Sequence, residues 1–383
     1  MSAALSNLLD DLRAKARAVG SVHGARVDAL DETSGAREAL SAVARAGLAA
    51  WCVPEAWGGA RAGGLCAPTS VSVRALCTLR QELAWHSPML DVMLVMQGLG
   101  SHAIALGGPE GLKREILPAV ARGELVGAFA LTEPEAGSSL AEVALRATRR
   151  GDAWVLDGAK TFISNCGIAD AICVLARTSG EPGEPGGTTM FHLPGSARGL
   201  EARRFEVVSP HPIGEYRFHE VVVPDAHRLG EVGAGTELAL SVLARFRTSV
   251  AAAANGFARR ALHESCVRLR ARKQFGKPLA SFQALRFDIA EMDVRLRAAE
   301  LLVDEAARIV DEGGDATAAV ARAKYFSTES ASWICDRAVQ HFGGLGVKKG
   351  EVVEHLWRDV RALRIYEGTS EVQKLVLAKQ ILG

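Results

Sequence analysis

The chain has 383 residues, more than one hydrophobic core usually organises, so two or three packed units are expected. Its 45 basic and 44 acidic residues give a formal charge of +1, which argues against nucleic acid or an acidic membrane surface as a partner. Seven scattered cysteines without a C-x-x-C pair indicate reduced thiols in a cytoplasmic protein, and the charged residues 1–17 argue against a signal peptide or membrane span there.

Residues 1–125 are predicted to form an all-helical domain. Apolar residues recur at three-and-four spacing over 36–46, 72–85, 88–105 and 111–121, and glycine and proline cluster between these stretches.

Residues 126–234 are predicted to form a central β domain. Short β-type runs lie at 153–156, 172–175, 189–193 and 221–223 without amphipathic helices between them, which favours an antiparallel, barrel-like sheet. The Gly- and Pro-rich residues 179–187 are predicted to form an exposed hairpin loop.

Residues 235–383 return to helical periodicity over 237–272, 281–311, 316–342 and 370–382. The first of these helices is Ala-rich and apolar around much of its circumference, as expected of a helix inside a bundle. The predicted fold class is therefore α+β multidomain.

Two segments near the β domain carry residues suited to a flat ligand. Residues 129–139 combine hydroxyls, small residues and free backbone N–H groups, which suit a polar planar group and a phosphate or amide tail. Residues 158–165 alternate as in a strand and place Phe162 and Ser164 on one face, able to stack on and hydrogen-bond one ligand. A capped turn and an amphipathic strand are the commoner explanations of these patterns.

Three further segments lie at helix ends. Arg272 offers a fork for pyrophosphate and Phe275 a face for adenine, and residues 340–346 end a helix in glycines that let backbone approach a ligand. Helix capping explains both nearly as well. Glu367 lies between an aromatic residue and Gly368, just before Thr369 and Ser370, either of which could cap the last helix. A solvated glutamate is the ordinary alternative, but an apolar site would raise its pKa and make it a competent base.

Two other patterns are set aside. Residues 98–103 fit a dinucleotide fingerprint but lie within a helical pattern, so we interpret the match as accidental. None of the ten histidines belongs to a recognisable ligand set, and no metal is expected.

Taken in order, the five segments resemble the hallmark segments of the acyl-CoA dehydrogenase family over essentially the whole chain. The resemblance implies an N-terminal helical domain, a central β-barrel-like domain and a C-terminal four-helix bundle. It also implies an FAD-dependent dehydrogenase in which Glu367 removes the α-proton of an acyl thioester, the β-hydride passes to the flavin, and the Glu367 N–H helps to polarise the thioester carbonyl.

The resemblance assigns binding residues as well. Some relatives carry the base immediately before the arginine that matches Arg247, where this chain has Phe246. Residues 340–344 match a segment that reaches FAD in a neighbouring subunit, so a homo-oligomer, a tetramer or a dimer, is expected. Substrate contacts are implied for Ser138, Phe246, Arg247 and Gly368. Cofactor contacts are implied for Phe129, Leu131, Thr132, Phe162, Ser164, Arg272, Gln274, Phe275, Gln283, Gln340, Phe342, Gly343, Gly344, Thr369 and Glu371.

The chain departs from the family pattern on the side that binds the carrier of the acyl group. Ser139 replaces an aspartate, Ala244 stands where an aspartate is common, and Lys379 replaces an arginine. These changes make an acyl carrier protein thioester an alternative to acyl-CoA, which stays the first choice. Electron-transfer flavoprotein is the expected acceptor, and a flavin oxidase or monooxygenase is a less favoured alternative. Acyl-chain selectivity is expected to depend on residues 90–100.

Overall fold

The computed structural model describes residues 3–383. By its internal contacts the chain divides into two compact units, each described by itself below. The first comprises the residues up to Ser21, Val73–Asp91 and Arg247–Gly383, and the second comprises Val22–Ser72 and Val92–Phe246.

The first part of the chain is helical, as predicted. Its helices are α1 (Ala3–Asp28), α2 (Glu32–Arg45), α3 (Val73–His86), α4 (Pro88–Leu99), α5 (His102–Gly107) and α6 (Glu110–Ala121). The single helix predicted over 88–105 is two helices, because the chain breaks at Gly100. A Cβ atom at Gly100 would lie 2.5 Å from the backbone nitrogen of Ala128, so only glycine allows this approach to the sheet.

The central part forms a mixed sheet. Its strands are β1 (Gly127–Ala130), β2 (Arg146–Arg150), β3 (Ala153–Ser164), β4 (Ala171–Arg177), β5 (Thr188–Pro194), β6 (Leu200–Arg204), β7 (Ile213–Pro224) and β8 (Arg228–Leu229). The order is β6-β7-β3-β2-β4-β5-β8, with β1 also beside β4. Most pairs are antiparallel, as predicted, but β1 and β2 both pair with β4 in parallel. The chain reverses direction from β2 to β3 and again from β3 to β4, so β4 runs parallel to β2, as it does to β1.

The core of this sheet is a cluster of buried side chains that includes Trp154, Phe191, Tyr216 and Phe218. The predicted hairpin loop is confirmed, because β4 pairs with β5 up to Arg177 and Thr188 and the residues between them are mostly exposed.

The last part of the chain is a helical domain, as predicted. Its elements are α7 (Gly235–Ala271), the two-residue strands β9 (Lys273–Gln274) and β10 (Lys277–Pro278), α8 (Gln283–Asp311), α9 (Thr317–Phe342), α10 (Val352–Leu363) and α11 (Ser370–Leu382). Helix α9 packs against α8, α10 and α11. Ala251 to Ala254 of α7 are fully buried, and such small side chains allow close packing between helices.

One stretch among the described residues, Pro88–Gly107, is long and apolar enough to cross a membrane, judged by length and composition alone. Since 83% of it is buried within the protein, it has the burial of a core helix.

Candidate active site

Glu367 lies in a strained turn between α10 and α11 of the first unit. Glu367 and Gly368 both have left-handed backbone conformations, with φ angles of 53° and 90°. In the described part of the chain only five residues other than glycine have positive φ: Phe162, Asn165, Glu220, Phe275 and Glu367. Such strain costs of order 1–3 kcal/mol and concentrates at functional sites. Four of these five residues lie in the segments singled out from the sequence.

Side chains of three helices hold the carbonyl groups of this turn. Arg247 Nε of α7 donates to the Glu367 carbonyl at 2.7 Å, and Lys324 Nζ of α9 donates to the Gly368 carbonyl at 2.7 Å. Gln373 Nε2 of α11 donates to the same Gly368 oxygen at 3.1 Å. This turn, the base turn (residues 366–369), is therefore fixed by α7, α9 and α11.

The Glu367 carboxyl group sits in a desolvated environment. Its Oε2 atom is buried and has no hydrogen-bond partner among residues 3–383. Burial raises the pKa of Glu367, against the opposing effect of Arg80, Arg247 and Lys324, while Asp91 raises it further. A carboxylate with a raised pKa and a free oxygen atom is suited to accept a proton.

Arg80 belongs to a buried ion pair beside Glu367. Its Nε and Nη2 atoms donate to the two oxygens of Asp91 at 2.8 and 2.7 Å, and its Nη1 donates to Ser249 Oγ at 3.0 Å. Both members of the pair are buried. Neither Arg80 nor Asp91 is predicted as a catalytic or binding residue from the sequence.

Lys324 is a further site residue that is not predicted from the sequence. Its side chain is fully buried in α9, and burial lowers its pKa to about 8, while Glu367 raises it and Arg247 lowers it. The available signal was a lysine on the small-residue face of the helix, between Ala323 and Ser327, both of which are also buried.

The second unit holds Leu131 and Thr132 against β3. Lys160 Nζ donates to the Leu131 carbonyl and to Glu133 Oε1, both at 2.7 Å, and the Thr161 N–H donates to the Thr132 carbonyl at 2.9 Å. Burial lowers the pKa of Lys160 to about 8, against the opposing effect of Glu133. These bonds fix the segment that follows β1, in which Phe129 is half-buried.

Phe162 presents an aromatic ring on the same strand. A β-bulge between Lys160 and Ile163 interrupts the regular alternation, and Phe162 is 62% exposed with φ of 56°. Its ring meets Phe205 edge-on at 5.1 Å between centroids. Ser164 Oγ lies 3.1 Å from His211 Nε2. The second unit therefore groups Leu131, Thr132, Phe162 and Ser164, whereas Ser138 lies on an exposed loop.

The first unit exposes a second aromatic ring at the hairpin of β9 and β10. Phe275 and Gly276 have φ of 50° and 79°, the pattern of a type I′ turn, and Phe275 is 90% exposed. Arg272, Gln274 and Gln283 are also exposed there.

The other cofactor candidates of this unit lie around the ends of α9 and α11. At the end of α9, Gln340 and the two glycines Gly343 and Gly344 are exposed, while Phe342 is buried. Thr369, one of the two capping candidates, caps α11 by accepting from the Val372 N–H at 3.2 Å, and Glu371 is exposed.

Phe246 occupies the position at which the family resemblance implies an alternative base. It is fully buried in the second unit and packs edge-on against His102 at 5.4 Å. A Cβ atom at Gly98 would lie 2.2 Å from the Phe246 ring, so Gly98 serves close packing. Gly98 and Gly100 therefore serve close packing, which accounts for the glycines of residues 98–103 that match a dinucleotide fingerprint.

Comparisons with known proteins give one family. The family models for the N-terminal, middle and C-terminal domains of acyl-CoA dehydrogenase match residues 6–124, 128–221 and 233–382. The chain is 36% identical to 3-(aryl)acrylate reductase of Clostridium sporogenes, over 93% of each chain. It is 33% identical to cyclohexane-1-carbonyl-CoA dehydrogenase of Geobacter metallireducens, over 94% of this chain and 92% of that one. The butyryl-CoA dehydrogenase structure from Megasphaera elsdenii matches over 100% of both chains, with a TM-score of 0.90 and 30% identity.

Proposed function

This chain belongs to the acyl-CoA dehydrogenase family, and we propose that Glu367 is the base with which it dehydrogenates an acyl-CoA thioester at Cα and Cβ. The single observation that carries the assignment is the base turn. Glu367 has a left-handed backbone conformation there, and its Oε2 atom is buried without a hydrogen-bond partner among residues 3–383. Since the alternative base position is Phe246, no second carboxylate competes for the role at that position.

The base turn supplies two functions to this chemistry. Glu367 takes the α-proton. Its raised pKa makes the carboxylate a stronger base and so lowers the free-energy cost of removing this weakly acidic proton. The Glu367 N–H makes no hydrogen bond within residues 3–383, so it is free to donate to the thioester carbonyl. A preorganised donor of this kind is typically worth about 3–4 kcal/mol of activation free energy. Arg247 and Lys324 keep both groups in place through the carbonyls of the turn.

FAD is the cofactor of the family, and the residues of this chain fit it. When bound, FAD supplies the acceptor for the hydride that leaves Cβ. In the second unit the exposed ring of Phe162 suits stacking, Thr132 and Ser164 offer hydroxyl groups, and we assign further contacts to Leu131 and Phe129. In the first unit Arg272, Gln274 and Gln283 suit a pyrophosphate and Phe275 suits adenine. We assign further contacts to Gln340, Phe342, Gly343, Gly344, Thr369 and Glu371, and substrate contacts to Ser138, Phe246, Arg247 and Gly368.

Replacement of the base tests this assignment. Glu367→Gln should retain FAD but lose reduction of the flavin by substrate by roughly 10²- to 10⁴-fold, the usual contribution of a general base. The measurement is anaerobic bleaching of the flavin with a panel of acyl-CoA thioesters. Glu305→Gln, at an exposed position of α8, is the matched control and should react as the wild type does. Undiminished bleaching in Glu367→Gln would refute the role of Glu367.

The carrier of the acyl group is proposed to be CoA. The departures at Ser139, Ala244 and Lys379 are the observations that favour acyl carrier protein instead. Titrating the same acyl group on both carriers decides between them, because only the preferred carrier should bleach the flavin at low concentration. Electron-transfer flavoprotein is the proposed acceptor, and slow reoxidation of the reduced flavin in air is the result that separates this from an oxidase or monooxygenase.

Reduction of an aryl acrylate is a second candidate function. The observation that favours it is the 36% identity to the 3-(aryl)acrylate reductase of Clostridium sporogenes. In that direction Glu367 would begin protonated and donate its proton to Cα. Anaerobic enzyme reduced with dithionite should then be reoxidised by an aryl acrylate or its thioester, whereas a saturated thioester should leave oxidised enzyme unchanged.

We propose that the chain forms a homo-oligomer through α8. Phe287, Val294 and Leu301 recur every seven residues along this helix and are 64%, 67% and 53% exposed. Apolar side chains at heptad spacing on one helix face are typical of a helix-packing interface. A domain division at 1–125, 126–234 and 235–383 is proposed as well, supported by the ranges that the three family models match.

A further inference from the structure

Lys324 places a full positive charge inside the first unit, next to the base turn. Its side chain is 0% exposed, and its Nζ lies 2.7 Å from the Gly368 carbonyl. Burying an ammonium group costs several kcal/mol unless other groups compensate it. A neutral donor would satisfy a carbonyl at lower cost, and Gln373 already donates to the same oxygen. This hydrogen bond alone therefore does not explain why a charged residue is buried at position 324.

The charged groups around Lys324 explain why its ammonium group is buried. No carboxylate lies within ion-pair distance of Lys324 in the described chain. The charged groups that shift the pKa of Lys324 are Glu367, Arg247, Glu329 and Glu371. Glu329 is paired with Arg364 at 2.8 Å and accepts from Ser370, and Glu371 is exposed. The buried carboxylate of Glu367 is the strongest attraction among these groups.

Glu367 in turn has three cations near it, and they differ in what else they bind. Arg80 is neutralised by two hydrogen bonds to Asp91. Arg247 gives its Nε–H to the carbonyl of Glu367 itself. Lys324 has neither an ion-pair partner among the described residues nor a contact with solvent, so its charge acts on the base with little screening.

We propose that Lys324 is a positioning residue whose ammonium group holds the base turn and keeps the Glu367 carboxylate ionised, ready to accept the α-proton. The inference rests on the proposed role of Glu367. It requires Lys324 to be charged at neutral pH, and burial lowers its pKa only to about 8.

The pH dependence follows from the signs of these interactions. Arg80, Arg247 and Lys324 lower the pKa of Glu367, and Asp91 raises it. Removing the Lys324 charge therefore raises the pKa of Glu367, so the acid limb of the pH profile should move to higher pH. Lys324→Arg keeps the charge and should leave the acid limb in place.

The experiment compares Lys324→Met, Lys324→Gln and Lys324→Arg as FAD-loaded proteins. The measurement is the rate of flavin reduction by an acyl-CoA thioester against pH, with bound flavin and Tm recorded to verify folding. Both neutral variants should shift the acid limb upward, and Lys324→Met, which also lacks a hydrogen-bond donor, should lose more of the maximal rate. Ser327→Ala, a buried change one turn further along α9, is the control and should keep the wild-type limb.

The outcomes separate this inference from the proposed function. If folded Lys324→Met and Lys324→Gln keep the wild-type acid limb while Glu367→Gln is inactive, the role of Lys324 is refuted and that of Glu367 stands. If Glu367→Gln stays active, the proposed base is wrong whatever the lysine variants do. A wild-type limb in Lys324→Arg together with shifted limbs in both neutral variants supports the inference.

Discussion

Among the single residues of the site, Arg80 and Asp91 form a buried ion pair, and the two charges shift the pKa of Glu367 in opposite directions. Arg80 lowers the pKa of Glu367 and Asp91 raises it, so the pair changes the basicity of the site less than either member alone would. Its bidentate geometry, with contacts of 2.8 and 2.7 Å, also makes each member dependent on the other for stability.

Arg80→Met should lower the free energy of unfolding by about 3–5 kcal/mol, because Asp91 would remain buried without its cation. It should also move the acid limb of flavin reduction to higher pH, since the base loses a cation. Urea unfolding measures the first effect and the pH profile the second.

Arg80→Met combined with Asp91→Leu is the matched variant. It removes both charges, so most of the lost stability should return and the acid limb should lie closer to that of the wild type. A double variant as unstable as Arg80→Met would contradict the view that the unpaired carboxylate causes the loss.

The residues of the site differ in how far the sequence predicts them. Glu367 and Gly368 lie in a recognisable segment and Arg247 matches a position of the family, and the structure brings these three together in one unit. Lys324 and Arg80 lie far from Glu367 in the chain, and charged residues on amphipathic helices are usually solvated. Their burial depends on how α3, α7 and α9 pack, which local pattern does not reveal.

At the scale of elements, the β9–β10 hairpin has an aromatic residue where a type I′ turn favours asparagine or glycine. Phe275 occupies the first of the two positions that require positive φ, with φ of 50°. Since Phe275 is 90% exposed, it gains little from packing in this unit. The strain is therefore consistent with a ring placed there for a ligand.

Phe275→Asn should keep or slightly raise the Tm of the FAD-free protein, because asparagine tolerates the left-handed conformation. The same change should weaken FAD binding roughly 5- to 150-fold, the equivalent of about 1–3 kcal/mol for the loss of one stacked base. Fluorescence titration with FAD measures the affinity. Val22→Asn, at an exposed position of α1, is the comparison and should not change FAD affinity. Wild-type affinity in Phe275→Asn would show that the ring does not contact the cofactor.

The elements themselves were largely predictable where periodicity was strong and the boundary residues were clear. The long helices α7, α8 and α9 lie close to the predicted ranges. Helices α1 and α10 were not identified, and the break between α4 and α5 arises from a tertiary contact at Gly100. Strand direction was predicted only in part, because pairing of β1 and β2 with β4 depends on contacts distant in sequence.

At the scale of the whole molecule, the proposed oligomer relates the exposed stripe on α8 to the cofactor site. The stripe of Phe287, Val294 and Leu301 would leave a large apolar surface in water if the chain were a monomer. The family resemblance also implies that residues 340–344 reach FAD in a neighbouring subunit. Dissociation should therefore lower both the molecular mass and the FAD content.

Val294→Glu places a charge at the centre of this stripe, and association would have to bury that charge without a partner. We expect the variant to have a lower mass by light scattering and a reduced FAD content, with the helical circular dichroism of the wild type. Val267→Glu makes the same substitution at an exposed position of α7 and should retain both the mass and the cofactor. If Val294→Glu keeps the wild-type mass, the stripe is not the subunit interface. If its mass falls while FAD stays bound, the subunits associate through α8 but each holds its cofactor alone.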